Sequence, residues 1–206
     1  VAGQAVDGVE VEVAALPRRH ERQLVADLDR RDRVEIFGHR DVRLAARIER
    51  SLASFAGAAR RADECYVFVL VDAGSERVVG IAAIEAAVGL AEPFYHFHVG
   101  TLVHASRALG VYTVAPTLFL ANDHTGHTEL CSLFLDQGFR RGKNGVLLAK
   151  CRLLFIAEFA QRFAPKIISE LRGRLDADGR SPFWEGLGRH FFAMEYSTAD
   201  YLTGIG

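Results

Sequence analysis

A stretch of glycines and basic residues at 136–145 could do chemistry most directly. It reads Asp-Gln-Gly-Phe-Arg-Arg-Gly-Lys-Asn-Gly, follows a short apolar run and precedes a long apolar helical pattern. A helix start presents unpaired backbone N–H groups and a partial positive charge, and glycines let the backbone approach a ligand closely. Arg140, Arg141 and Lys143 add formal positive charge. The stretch therefore predicts either a phosphate-binding loop or an exposed loop that only caps a core helix.

Histidines are the next candidates, because an imidazole exchanges protons near neutrality. His124 lies in a polar loop, where it could transfer a proton or make a structural hydrogen bond. Spacings of two and six residues separate His96, His98 and His104, a pattern that suggests metal ligands. No carboxylate or cysteine accompanies these three at a fitting interval. We therefore expect histidines on a strand face, and no metal site.

Two apolar patterns predict the helices that must position these residues. Leu44, Ile48, Leu52 and Phe55 recur at spacings of four, four and three, which indicates an amphipathic helix from Val42 onward. A wider apolar stripe indicates a second helix over residues 146–163, directly after the basic glycine loop. Proline at 165 should end this second helix.

Runs of β-branched and aromatic residues predict the strands. They occupy 9–16, 65–71, 78–88, 94–103, 130–135 and 166–171. The runs at 65–71 and 78–88 are separated by a turn sequence, so they should form an antiparallel hairpin. The order of helices and strands predicts an α/β protein built around one mixed sheet.

Composition and charge exclude several classes of protein. Hydrophobic residues make up 50% and charged residues 25% of the 206 residues, as in a globular domain. The net charge of −1 carries no footprint for nucleic acid. The sequence contains no apolar run long enough for a membrane helix and no basic residue in positions 1–16, as a signal peptide would need. With three cysteines and no CxxC pair, a cytoplasmic protein with free thiols is expected.

The basic glycine loop resembles the pyrophosphate loop of GCN5-related N-acyltransferases. In that superfamily, Arg/Gln-x-x-Gly-x-Gly/Ala begins the helix after the fourth strand. Arg140 and Gly145 match the outer positions, whereas Lys143 stands at the middle glycine, with Gly142 beside it. The resemblance implies the acyl-CoA N-acyltransferase fold, a mixed, mostly antiparallel sheet flanked by helices, with residues 130–135 as its fourth strand.

From about Leu44 to Gly206 the chain resembles the arginine N-succinyltransferase family. The blocks that carry this resemblance come in the family's order: ARIER at 46–50, YVFVL at 66–70, VGL at 88–90, VGTLVHAS at 99–106, PTLFL at 116–120, NDHTG at 122–126, ELC at 129–131, SPFW at 181–184 and LTG at 202–204. Residues 1–42 do not match the family's usual N-terminus. We therefore divide the chain into an atypical N-terminal segment, 1–42, and an acyltransferase domain, 43–206.

The resemblance implies transfer of the succinyl group of succinyl-CoA to the α-amino group of L-arginine, with no permanently bound cofactor. It assigns contacts with succinyl-CoA to Leu133, Leu135, Arg140, Arg141, Gly142, Lys143, Asn144 and Gly145. Glu129 is placed like the general-base glutamate of the superfamily's histone acetyltransferases, although it could also bind a guanidinium or face solvent. His124 is the second candidate for proton transfer.

The family's catalytic histidine, in a Val-His-Pro stretch, is expected beyond Gly206, so the chain is interpreted as part of a longer protein. Such a part should bind succinyl-CoA and turn over arginine poorly. Two alternatives stay open: a silent acyl-CoA-binding or assembly module, and an amine acyltransferase with another acyl donor. The expected partners are arginine, succinyl-CoA and a second subunit, identical or related, without nucleic acid or membrane.

Overall fold

The computed structural model describes residues 4–6, 9–15 and 39–205, which form eight strands in two sheets. In chain order the strands are β1 (Gln4–Val6), β2 (Val9–Ala15), β3 (Cys65–Asp72), β4 (Arg77–Glu85), β5 (His96–Ser106), β6 (Val111–Ala121), β7 (Thr128–Leu135) and β8 (Ile167–Ile168). The larger sheet has the order β1-β2-β3-β4-β7-β8, antiparallel except for the parallel pair β7–β8. The predicted strand at 130–135 is confirmed as β7. The division at residue 42 stays a prediction, and most of residues 1–42 lie outside the described ranges.

Within the described ranges four α-helices accompany the sheets, and two of them confirm the sequence prediction with shifted ends. They are α1 (His39–Phe55), α2 (Asn144–Glu158), α3 (Arg189–Phe192) and α4 (Tyr196–Ile205), with short helical turns at Arg61–Asp63, Gln137–Phe139, Ala160–Arg162 and Trp184–Gly188. The end of α2 precedes the predicted end by five residues, because Phe159 leaves the helical region with φ −116° and ψ 42°. In the described part of the chain, none of the helices is both long and apolar enough to cross a membrane.

The core lies on both faces of the larger sheet, which confirms the predicted sheet flanked by helices. On one face, Tyr66, Phe68 and Leu70 of β3 pack with Leu148 of α2. On the other face, the alternate residues Val67 and Val69 of β3 pack against Ile48 of α1. The alternation along β3 therefore fixes one helix on each side, and both helices reach the central strands β4 and β7.

Gly80 allows α2 to approach β4 closely. A Cβ atom at this position would lie 2.8 Å from Cδ2 of Leu148 and 3.1 Å from Cδ1 of Leu135. The same atom would lie 3.1 Å from the carbonyl oxygen of Phe134. The main chain of β7 and the helix therefore both limit the residue at position 80 to glycine.

We expect Gly80→Ala to lower the free energy of unfolding by about 1–3 kcal/mol, because the added methyl overpacks the core. Urea unfolding measures this change. Gly74→Ala is the matched control, since a Cβ atom at Gly74 would meet nothing within 4 Å. Equal stability of the two variants would show that α2 moves away freely.

The predicted single sheet is wrong in one respect, because β5 and β6 form a separate two-stranded hairpin. They pair antiparallel from His96↔Ala121 to Ser106↔Val111, and neither pairs with the larger sheet in the described residues. We call this hairpin the arm. Large apolar side chains on both faces of the arm are exposed, among them Phe97, Val99 and Val114 on one face and Leu102 and Phe119 on the other. Apolar residues at consecutive positions are typical of a strand that is buried on both faces. The sequence of the arm therefore predicts strands inside the main sheet.

The predicted buried strand over 166–171 is shorter in the structure. Only Ile167 and Ile168 pair with β7, opposite Thr128 and Glu129. The hydroxyl of Ser169 then donates to the carbonyl oxygen of Leu130 at 3.0 Å. Because a side chain occupies that acceptor of β7, the parallel ladder ends there and the two strands separate.

Candidate active site

A β-bulge interrupts β7 at Ser132 and Leu133. The pairing with β4 passes from Ala83↔Cys131 to Ile81↔Phe134, so two residues of β7 face the single residue Ala82. Ser132 has a φ of +51°, in the left-handed region. A bulge of this kind takes the extra residue out of the ladder and turns its main chain in a new direction. The predicted contact residue Leu133 lies at this point, with 53% of its surface exposed.

Two arginines hold the bulge, one from the helix on each face of the sheet. From α1, Arg47 donates to Oγ of Ser132 at 2.9 Å and to Sγ of Cys131 at 3.2 Å. From α2, the buried Arg152 donates to the carbonyl oxygen of Cys131 at 3.1 Å. Burial lowers the pKa of the Arg152 guanidinium. A buried cation is costly unless it is hydrogen-bonded, so the Arg152 guanidinium must keep its bond to the carbonyl oxygen of Cys131. This requirement fixes the shape of the bulge.

Glu85 of β4 orients Arg47. It accepts from Arg47 at 3.0 Å and from Arg50 at 3.0 Å, one carboxylate oxygen for each guanidinium. The three side chains form one network on the α1 face, next to the bulge. Neither arginine stands out in the sequence, because both lie in a polar helical pattern typical of a solvated face.

The basic glycine loop after β7 is tightly built. The side chain of Asn144, which is buried, donates to the carbonyl oxygen of Phe139 at 3.1 Å. Nε of Arg140 donates to the carbonyl oxygen of Leu135 at 2.9 Å, which ties the loop to the end of β7. Gly142 and Lys143 have φ values of +55° and +66°, so the chain enters α2 through two left-handed residues.

This path leaves main-chain donors directed away from the protein. Within the ranges that the structure describes, the N–H groups of Gly142, Lys143, Gly145 and Val146 donate to no protein acceptor, whereas that of Asn144 donates to the Arg141 carbonyl. The start of the fifteen-residue helix α2 therefore offers unpaired N–H groups together with its positive dipole end. This geometry suits an anionic group such as a phosphate.

Two clefts meet at the bulge. The first has a volume of about 450 Å³ and is lined by Leu133, Leu135, Arg140, Arg141, Gly142, Lys143, Gly145 and Val146. The structure therefore brings seven of the eight predicted contact residues to one cleft. The eighth, Asn144, is buried and holds the loop through its bond to the carbonyl oxygen of Phe139. The second cleft has a volume of about 620 Å³ and is lined by Arg47, Ile48, Val67, Ile81, Ser132, Leu133, Phe134 and Arg172. Leu133 lines both clefts.

Glu129 lies on β7 before the bulge and is 9% exposed. Burial raises the pKa of its carboxyl group, and the neighbouring Glu170 and Glu85 raise it further, while Arg47 lowers it. A carboxylate with a raised pKa holds a proton better and so suits general-base chemistry. Glu129 is not among the residues that line either cleft, and its role as a base stays a prediction.

We expect Glu129→Gln to increase the free energy of unfolding at neutral pH by on the order of 1 kcal/mol. As the pH rises past the ordinary carboxyl value of 4.5, the unfolded chain releases this proton before the folded chain does, so the ionised form disfavours folding. The gain should vanish at a pH below that value, where both states are protonated. Urea unfolding across pH, with the exposed Glu158→Gln as control, measures this difference; a gain that grows toward acid pH would contradict it.

The structure places His124 at the base of the arm, outside the lining of both clefts. Its ring lies 4.2 Å from the ring of His96, and its Nδ1 lies 3.3 Å from Nδ1 of His127. The same corner contains His98 and Asp123, which are hydrogen-bonded to each other. Spacing along the sequence shows no carboxylate near His96 and His98, because the turn after β6 supplies it, 25 residues beyond His98. His104, farther along β5, is exposed.

Comparison with known proteins agrees with this geometry. Residues 33–206 match the family described as arginine N-succinyltransferase beta subunit. An arginine N-succinyltransferase of Yersinia pestis is 52% identical over 195 residues, 88% of this chain and 56% of that protein. One of Yersinia enterocolitica is 58% identical over 163 residues, 79% of this chain and 47% of that protein. The chain thus spans about half the length of these curated relatives.

A solved structure, that of the arginine/ornithine succinyltransferase subunit AI of Pseudomonas aeruginosa, is 34% identical with a TM-score of 0.82. The superposition covers 95% of this chain and 60% of that one. The match to the family begins at residue 33, eleven residues before the start of the resemblance that the sequence predicts at Leu44. On its sequence, its sheet and its acyltransferase-type loop, the chain belongs to the arginine N-succinyltransferase family.

Proposed function

We propose that the protein transfers the succinyl group of succinyl-CoA to the α-amino group of L-arginine, giving N2-succinyl-L-arginine and CoA. Leu133 carries this proposal, because it joins a cleft suited to phosphate to a second cleft suited to an acyl group. A thioester that lies along both clefts would have its carbonyl group at the bulge.

The first cleft is assigned to the diphosphate of CoA. The unpaired N–H groups at the start of α2 and the side chains of Arg140 and Arg141 supply hydrogen bonds and positive charge. Hydrogen bonds between ionised groups are roughly twice as strong as neutral ones, so two guanidinium groups contribute strongly. A Cβ atom at Gly145 would contact Cδ2 of Leu135 at 3.7 Å, so glycine is not required there by the packing of the protein. We attribute that glycine to close approach of the ligand.

The second cleft is assigned to the succinyl group. Its lining combines apolar side chains with the guanidinium groups of Arg47 and Arg172. The free carboxylate of a succinyl group has a charge opposite to these arginines, whereas an acetyl group has no charge to pair with them. This arrangement favours a dicarboxylic acyl donor over acetyl-CoA.

We expect Arg172→Ala to raise KM for succinyl-CoA about tenfold and to leave KM for acetyl-CoA within about twofold. One charged contact of this kind is worth on the order of 1.4 kcal/mol, a factor of ten. Rates of CoA release with each donor measure the split. Arg174→Ala, an exposed arginine that lines neither cleft, is the control. An equal loss with both donors would assign Arg172 to the fold and not to the acyl group.

The reaction requires a neutral amine, a donor to the oxyanion and a path for the released proton. The α-amino nitrogen attacks the thioester carbon, the carbonyl oxygen becomes negative, and the thiolate of CoA leaves as the tetrahedral intermediate collapses. We assign the oxyanion contact to the main-chain N–H of Leu133. Glu129 is our first candidate to accept the proton, and His124 is the second.

The test is CoA release by the full-length protein from succinyl-CoA, with and without L-arginine. The expected result is release that depends on arginine, with L-ornithine as a second acceptor that defines preference. Succinyl-CoA binding by calorimetry is measured on the same preparation. Binding without arginine-dependent release would overturn the proposed reaction in favour of an acyl-CoA-binding module.

We also propose that the protein acts in the cytoplasm as an oligomer, either of identical chains or paired with a related subunit. The Pseudomonas relative is described as a subunit, and the exposed apolar residues of the arm offer a surface of the required character. The cysteines at 65, 131 and 151 are free thiols, as in a reducing compartment. Sedimentation of the full-length protein alone and with a co-expressed related chain tests the assembly.

A further inference from the structure

The base of the arm brings together side chains that the proposed reaction does not use. His96 and His98 are two residues apart on β5, so they point to the same face of the strand. His96 is opposite Ala121 of β6, and Asp123 follows two residues later. The imidazole nitrogens and the carboxylate oxygen that these three residues offer all lie within 4.8 Å of one another.

His96 lacks partners that a buried imidazole needs. Both of its ring nitrogens are buried and without a hydrogen-bond partner within the described part of the chain. Its side chain is 17% exposed, and its Nε2 lies 4.0 Å from Oδ2 of Asp123, too far for a hydrogen bond. A buried polar group without a partner costs about 1–3 kcal/mol, so an atom that binds this nitrogen would stabilise the site.

We propose that His96, His98 and Asp123 bind a divalent transition-metal ion, for which Zn²⁺ is the reference. Two imidazole nitrogens and one carboxylate are ligands typical of such ions, and three protein ligands leave one position for water. A tetrahedral ion about 2.1 Å from each ligand atom needs ligand atoms about 3.4 Å apart. His96 therefore moves toward Asp123 by less than 1 Å, and the hydrogen bond between His98 and Asp123 opens. A ligating imidazole must be unprotonated on the bound nitrogen, so the nitrogen of His98 that faces Asp123 carries no proton when the ion is bound.

His124 and His127 form the layer behind the site. The His124 ring lies against His96 at 4.2 Å between centroids and 31° between planes, which limits rotation of the ligating ring. His127 contacts His124 from the far side. Supporting contacts of this kind orient metal-binding histidines and tune their affinity.

The bound ion would cross-link the two chain segments at the base of the arm, where the pairing of β5 with β6 ends. His96 and His98 begin the arm, while Asp123 lies in the turn that leads from β6 into β7. The ion would therefore fix the arm at its base without contributing a residue to either cleft. This inference does not depend on the proposed acyl transfer.

The test uses the untagged full-length protein, freed of metal with a chelator and titrated with Zn²⁺ by calorimetry and with Co²⁺ by visible absorption. We expect one ion per chain and a Co²⁺ spectrum of a four-coordinate site. Asp123→Asn and His98→Ala, both at exposed positions, should weaken binding by at least about tenfold, the lower end of what even an outer-layer contact contributes. His104→Ala, on the same strand, should leave binding unchanged.

Thermal unfolding provides a second readout. If His98 and Asp123 formed only an ion pair, added Zn²⁺ would not change the melting temperature. Zn²⁺ should raise the melting temperature of the wild type and leave that of Asp123→Asn unchanged, since an ion stabilises the folded state only where it binds. Absence of binding in the wild type would overturn the proposal, as would binding that the His104 variant weakens and the Asp123 variant does not. Loss of acyl transfer with metal binding retained would affect the proposed function alone.

Discussion

Replacing Leu133 with proline in the full-length protein is expected to lower kcat by roughly 100- to 1,000-fold, the usual cost of one lost oxyanion donor. Proline has no N–H, and the main-chain N–H of Leu133, at the bulge that both clefts share, is the oxyanion donor that we propose. Succinyl-CoA should still bind, because the basic glycine loop, to which we assign the diphosphate, lies farther along the chain. Steady-state kinetics beside calorimetric binding measures both quantities.

Two companion variants separate the main chain of Leu133 from its side chain. Leu133→Ala keeps the N–H and should retain kcat within about threefold, since the side chain is half-exposed. The α-hydroxy analogue of leucine, inserted at 133, removes the N–H alone and should reproduce the loss seen with proline even if proline disturbs β7. A folded α-hydroxy variant with unchanged kcat would assign the oxyanion donor to another group.

The second large effect is expected from Arg140→Ala combined with Arg141→Ala, which should weaken succinyl-CoA binding about 100-fold. Each guanidinium contributes a charge-assisted contact of roughly 1.5–3 kcal/mol, and 1.4 kcal/mol is a factor of ten. Binding of a succinyl thioester of pantetheine, which has no phosphate, should change by less than about threefold. Calorimetry with both donors measures the two affinities.

Lys150→Ala is the control for this loop, because Lys150 is exposed on α2 and lines neither cleft. The single variants are also informative. The Arg140 side chain also ties the loop to the carbonyl oxygen of Leu135, whereas the Arg141 side chain makes no such bond within the described residues, so Arg141→Ala isolates the effect of charge. Equal losses for the phosphorylated and the phosphate-free donor would show that the loop does not bind the diphosphate.

The local parts of the site could be predicted from the sequence, because neighbouring residues determine them. The order of β7, the basic glycine loop and α2 follows from a short apolar run, a cluster of glycines and an apolar helical pattern within 34 residues. A helix start presents its N–H groups wherever it lies in a fold. All the predicted loop residues except Asn144 therefore line one cleft.

The parts that depend on contacts between distant segments could not be predicted in the same way. Arg47 reaches Ser132 across 85 positions of the chain, and Arg172 reaches its cleft from beyond β8. Nothing in the pattern around either arginine distinguishes it from a solvated one. Asp123 joins His96 and His98 only because β5 and β6 pair in one register. A spacing rule applied along the chain cannot find such a ligand.

The position of Arg152 on α2 fixes the distance between the start of the helix and the bulge. This arginine lies eight residues after the start of α2, so about 12 Å of helix separate the unpaired N–H groups at that start from the main chain of Arg152, whose guanidinium holds the carbonyl of Cys131. One residue inserted between these points would rotate Arg152 by about 100° and remove it from the bulge. The length of α2 between these points therefore couples the proposed diphosphate contacts to the position of the bulge. Donors whose pantetheine arm is one carbon longer or shorter should bind with their phosphates in place and react slowly.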